Sequence, residues 1–197
     1  MLLRIRLNEP AEAGIAWMQA MLARYDTGAL EWVRIDHGSA RYQGVYGCCW
    51  LPTRERPTYR ISCKLPGPFP TSTTTRKPPL YRDADGSFPA VPKGCRKGAW
   101  LYDPKTGREW VQVRGRTRLG NLDQALIWIF AHEAFHYLRA TRQVPGRNTE
   151  IAADAYADAQ LASFRDQGRG RCTPDPAPPR NSASPPGRLQ RILSFLG

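Results

Sequence analysis

The chain has 197 residues, of which 41 % are hydrophobic, enough for one domain with its own core, so a wholly disordered chain is excluded. Its five cysteines are odd in number and contain no C-x-x-C pair, which excludes a disulfide framework or a ribbon-type zinc site and points to a reduced, cytoplasmic setting. The formal charge of +12 is uneven: residues 1–120 carry a net +10, residues 121–164 a net −2 and residues 165–197 a net +4. A basic excess of this size favours polyanionic partners, nucleic acid or an acidic protein, although the charge names neither.

Residues 2–7 alternate apolar and charged side chains and predict a strand with Leu3, Ile5 and Leu7 on one face. They do not form a signal-peptide core, and no apolar run reaches the length of a membrane span, so no membrane is expected. From Pro10 to about Arg24 the stripe Ile15, Met18, Leu22, joined by Trp17 and Met21, predicts an amphipathic helix. Strands are expected at Glu31–His37, Tyr42–Leu51 and Tyr59–Leu65, with Gly38-Ser39 as the turn between the first two. Residues 66–98 are rich in proline and threonine and are expected as a Pro-rich loop or insertion.

A hairpin is expected from Trp100–Tyr102 to Glu109–Arg114 across the turn Asp103–Gly107, and it is the candidate edge for pairing with an extended peptide. Arg114, Arg116 and Arg118, spaced two apart, fall on one side of a continued strand, where they form either a nucleic-acid-contacting patch or an ordinary solvated edge. Asn121, with Gln124 three residues on, predicts the N-cap of a helix to about Arg142. Pro145-Gly146 breaks the chain before a second helix, about Thr149 to Phe164, with Ile151, Ala155 and Leu161 partly facing the first. Residues 169–197 read as a Pro-rich flexible tail ending in a short amphipathic segment, after a single domain over 1–168.

The first of these helices contains His132-Glu133-Ala134-Phe135-His136, which holds two of the three histidines in the chain. Residues four apart share a helix face, so His132 and His136 present two imidazoles to one metal ion, with Glu133 beside them as general base for a water. The flanking Leu122, Ala125, Leu126, Ile129 and Phe130 make this a core helix, and histidines buried in one require partners. Glu150, at the start of the second helix, is the candidate third ligand. Asp154, one turn on, is the candidate acceptor for the second N–H of a ligating histidine.

The pairing of HExxH with the downstream Glu150-x-x-x-Asp154 resembles the gluzincin zinc metallopeptidases. The run Glu150-x-x-Ala153-Asp154-x-Tyr156-Ala157 is similar to compact cytosolic members from bacteria and mobile elements. The likeness covers about residues 121–165, and the gap of thirteen residues between His136 and Glu150 is shorter than in large thermolysin-like enzymes. The expectation that follows is an α+β, minimal zincin-like fold. A small, twisted, mostly antiparallel sheet would pack on an N-terminal helix and two C-terminal zinc-binding helices. The expected function is zinc-dependent hydrolysis of a protein or peptide substrate, with one Zn²⁺ per chain and nucleic-acid-associated proteins as candidate targets. The alternative is a non-catalytic, basic, nucleic-acid- or partner-binding protein whose zinc is structural.

Overall fold

The computed structural model describes residues 1–38, 46–65 and 67–168. The elements in chain order are β1 (Leu2–Arg6), α1 (Glu12–Leu22), β2 (Leu30–His37), β3 (Tyr46–Trp50), β4 (Tyr59–Leu65), β5 (Thr71–Tyr81), β6 (Arg96–Asp103), β7 (Arg108–Leu119), α2 (Leu122–Ala140) and α3 (Glu150–Gln167). The expected tail over 169–197, Ser39 of the expected turn and residues 42–45 of the expected strand lie outside the described residues.

The class is α+β with mostly antiparallel pairing, and the strands divide into two sheets rather than one. The first has the order β1-β2-β4-β3 and the second β5-β7-β6. β1, α1 and β2 form a parallel crossover unit, β4 adds in parallel to β2, and β3 closes the sheet antiparallel to β4. β2 and β3 are therefore not hairpin partners, as a turn at Gly38-Ser39 would have made them. β4 lies between them, because its Ile61, Cys63 and Leu65 are wholly buried and belong at the sheet centre.

The central element is α2. Fourteen of its nineteen residues are buried, including His132 and Glu133. A helix buried nearly all round must be covered on every side. α1, α3 and the strands β3 and β4 pack against it, and one hydrophobic cluster runs through these elements from Ala11 to Leu161. α1 approaches closely because Gly14 has no side chain: a Cβ there would meet the backbone of Asp123 at 3.1 Å. In its place the Gly14 N–H donates to Asp123 Oδ1 at 2.8 Å.

Residues 66–98 contain a strand of eleven residues, β5, where proline content led to the expectation of a loop. Two local facts reconcile them. Thr71 and the run Thr73–Thr75 supply β-branched residues suited to a pleated surface. Pro78 and Pro79 fall where the pairing with β7 breaks register, between Lys77 and Leu80, on an edge strand that needs no donors there. The hairpin β6–β7 forms as expected across 103–107. Asn121 caps α2 by accepting from the Gln124 N–H at 3.0 Å, and Thr149 caps α3 by accepting from the Ala152 N–H at 3.3 Å. On α3 the buried positions are Ala153, Asp154, Ala157 and Leu161, while Ala155, expected to face α2, is exposed. No described helix is long and apolar enough to cross a membrane.

Candidate metal centre

His132 and His136 lie one turn apart on α2, and Glu150 is the first residue of α3. One ligand atom from each lies within 4.8 Å of the others. The two Nε2 atoms are 3.3 Å apart, His132 Nε2 is 3.4 Å from Glu150 Oε2, and His136 Nε2 is 3.4 Å from Glu150 Oε1. The fold thus brings together the three residues expected as ligands, as a group that could hold a metal ion.

The outer nitrogens show why this triad fits a cation. His132 Nδ1 is 2.9 Å from Asp154 Oδ1, and His136 Nδ1 is 2.7 Å from Asn148 Oδ1. The Asn148 oxygen at His136 Nδ1 and the Asp154 carboxylate beside His132 Nδ1 both favour a proton on Nδ1 and a lone pair on Nε2, although the His132 contact has ion-pair distance without hydrogen-bond alignment. Two such lone pairs, on imidazoles 11 % and 16 % exposed, then face a half-exposed carboxylate, a donor set that a positive ion would satisfy. These residues could therefore hold a metal ion. Asp154 occupies the position expected for it and is only 2 % exposed. Its other oxygen, Oδ2, accepts the Arg76 N–H, so the carboxylate ties α3 to the open edge of β5 as well as to His132. Asn148, just before the Thr149 cap, was not expected to touch His136. It is placed there by the turn that starts α3.

Electrostatics separate the roles of the acids. Burial pulls the His132 pKa down, but the contact with Asp154 and the charges of Glu133, Asp154 and Glu150 outweigh it, and the net shift is upward. Glu133 is 7 % exposed, and burial pushes its carboxyl up to about 7, with His132 opposing and Glu150 adding to the rise. The backbone N–H of Cys49 on β3 donates to it. β3 reaches this close because of Gly47: a Cβ there would sit 2.5 Å from Glu133 Cγ and Oε1. Burial likewise pushes the Cys49 thiol up to about 12 and raises Cys48, so neither offers a thiolate nucleophile at neutral pH.

Two recesses, of about 200 and 300 Å³, share Gly47, His132, Glu133 and Glu150. β5 contributes Thr73, Thr74 and Arg76 to the smaller, and β3 contributes Cys48 and Cys49 to the larger. A third recess, of about 540 Å³ at Tyr81 and Glu109, contains none of the motif residues. Arg76 is the site residue that sequence reasoning missed: its Nη1 is 2.5 Å from Glu150 Oε2. It lay in the segment read as a loop, and nothing local signals its role.

Trp128, one turn before His132, packs on that imidazole with ring centroids 5.6 Å apart. Asp158 accepts its indole N–H at 2.9 Å. Arg114, Arg116 and Arg118 share one face of β7, with Arg114 in register with Arg76 and Arg96, but none of the three lines either recess. The 100–114 hairpin does not border the centre either; the edge strands that do are β3 and β5. His37 is exposed at the end of β2, and Tyr156 faces Tyr25 and Phe135. Neither lines the recesses. In comparisons with family models, curated proteins and solved structures, the chain matches none.

Proposed function

We propose that the chain is a zinc-dependent metallopeptidase. The observation that carries this reading is the convergence of His132 Nε2, His136 Nε2 and Glu150 on one point beside a buried, protonatable Glu133. The donor set of two imidazoles and one carboxylate suits Zn²⁺ in a site that keeps a fourth position open. A structural zinc site is closed by four protein ligands. Here the triad opens to two recesses, and the Glu150 side chain is 49 % exposed, which favours the catalytic reading over the structural one.

When bound, zinc supplies Lewis-acid chemistry, polarising a carbonyl and bringing the pKa of water from about 15.7 towards about 7. The remaining work falls to the protein. Asp154 and Asn148 hold the two imidazoles in the tautomer that leaves Nε2 free. Glu133 takes the proton of the attacking water on its carboxylate and delivers it to the leaving amine, and a pKa near 7 suits both transfers. Arg76, bound to Glu150 and lining the smaller recess, holds a guanidinium that would be available to an oxyanion forming there. β3 pairs with β4 alone among the described strands, so an extended peptide can add along its other edge by main-chain hydrogen bonds. With +12 on the chain, acidic or nucleic-acid-associated proteins are the substrates to try first.

Elemental mass spectrometry and hydrolysis of a casein or fluorogenic peptide panel, run side by side, test this reading. Wild type should carry one zinc per chain, and His136→Ala should lose it. Glu133→Gln should keep the zinc and lose activity by about 10²- to 10⁴-fold. A metal-free wild type after reconstitution, or a Glu133→Gln variant that still cleaves at the wild-type rate, overturns it.

A further inference from the structure

The helices α1 and α2 cover one face of the four-stranded sheet, the face that carries Val33, Ile35, Ile61, Cys63 and Leu65. The opposite face is organised in rows by the strand register. One row runs Leu2, Trp32, Arg60, Trp50 across all four strands, and the next runs Arg4, Arg34, Ser62, Cys48. Arg6, Asp36 and Lys64 continue the pattern. These rows carry five cations and one carboxylate, Asp36, which is paired with Arg34 at 2.5 Å; at the margin Glu31, Glu55 and Arg56 line a recess with Trp32 and Arg60, and the balance over the whole face stays cationic. The Arg60 guanidinium lies between the two indoles, 5.9 Å from the Trp32 ring and 5.6 Å from the Trp50 ring. Its Nε is buried with no hydrogen-bond partner among the described residues. Trp50 is 46 % exposed and Leu2 50 %.

Cation–π contact with Arg60 accounts for the placement of the two indoles, yet it leaves Trp50 46 % exposed within a basic row of the sheet, an aromatic and cationic surface of the kind that nucleic-acid platforms present. We infer that this face is a binding platform for single-stranded nucleic acid. Bases stack on Trp50 and Trp32, about 10 Å apart across two strand spacings, while Arg4, Arg34 and Arg60 meet the phosphates. Charge complementarity selects this occupant. A second copy of the chain would bring two cationic faces together, and residues 169–197, themselves net +4, would meet like charge. The inference is independent of the peptidase reading, because these side chains lie on the face of the sheet away from α2.

The experiment is fluorescence anisotropy of a fluorescein-labelled oligothymidylate titrated with the full chain between about 50 and 200 mM salt. Wild type should bind, with affinity falling as salt rises. Trp50→Ala should weaken binding roughly 5- to 150-fold while leaving the salt slope unchanged, and Trp50→Phe should restore most of the loss. Arg4→Ala with Arg34→Ala should lower the salt slope by about 0.7 for each contact removed.

The inference is overturned if the oligonucleotide does not bind at low salt, or if duplex DNA binds as tightly. It also fails if Arg114→Ala with Arg116→Ala and Arg118→Ala costs as much as Trp50→Ala, which would move the site to the other sheet. Polyglutamate bound in preference to the oligonucleotide would assign the face to acidic protein. Self-association abolished by Trp50→Ala would assign it to a second copy.

Discussion

At the scale of single residues, the centre is built from groups whose neighbours decide what they do. His132 and His136 are the same residue type one turn apart, yet one is oriented by a buried carboxylate and the other by an amide. Glu133 differs from Glu150 in the same way. The first is buried and titrates near 7; the second is half exposed and takes Arg76 as its partner. This has a consequence for stability. The Glu133 pKa is raised from 4.5 to about 7, so between those values the folded chain holds more protons than the unfolded one. Stability of the metal-free protein therefore falls as pH rises through this window, by up to about 3 kcal/mol from this group. His132 acts in the same sense, since a raised histidine stabilises fully below its ordinary pKa of 6.5 and loses that contribution as pH passes its folded value. Urea denaturation of the metal-free chain should give a lower midpoint at about pH 8 than at about pH 5, with m unchanged, and Glu133→Gln should flatten much of the difference. A profile that rises from acid to neutral pH, or one that Glu133→Gln leaves unaltered, would show that the buried carboxyl does not behave this way.

At the scale of elements, α2 could be read from its sequence because its signals are local: a capping asparagine, a dense apolar run and the HExxH spacing all sit on one segment. β5 could not, because what permits a strand with Pro78-Pro79 is its position at a sheet edge and a break in register against β7, and both are properties of the partner strand. The same strand brings Arg76 to Glu150 and Asp154, so misreading β5 and missing Arg76 are one error. The tie between the second sheet and the helices rests on Asp158 of α3. It accepts from Thr117 Oγ1 at 2.6 Å, Trp128 Nε1 at 2.9 Å and Lys77 Nζ at 2.9 Å, and these hydrogen bonds hold its pKa below the usual range although burial opposes them. Asp158→Ala strands those donors at a half-buried junction, and a loss of about 2–3 kcal/mol in denaturant unfolding is expected. An Asp158→Ala chain as stable as wild type would mean that solvent replaces the carboxylate at no cost.

At the scale of the whole molecule, the candidate metal centre sits where α2, α3, β3 and β5 meet, so an ion held there would link four segments distant in sequence. A cation that binds the folded chain and not the unfolded one stabilises by mass action, about 2.7 kcal/mol at a hundredfold excess over Kd. Thermal unfolding of wild type should shift upward with added Zn²⁺, and His136→Ala should not respond. A shift of equal size in both would place the responsible metal elsewhere. The charge asymmetry also finds its place at this scale. The net −2 segment 121–164 supplies most of both helices of the centre, while the net +10 of residues 1–120 falls on the strands and their connections.

What the sequence determined by itself was the local chemistry. A period of 3.6 residues places His132 and His136 on one face, a cap residue starts each of α2 and α3, and alternation marks β1, β2 and β4. Tertiary structure decided everything that depends on a partner from another segment. It set β4 rather than β3 beside β2, laid β3 across Glu133 through Gly47, brought Arg76 to Glu150, and aligned Trp32, Arg60 and Trp50 into one row. The reason is physical: helix geometry is fixed by bonds within one stretch of chain, whereas sheet order, register and close approach are fixed by groups far apart in sequence.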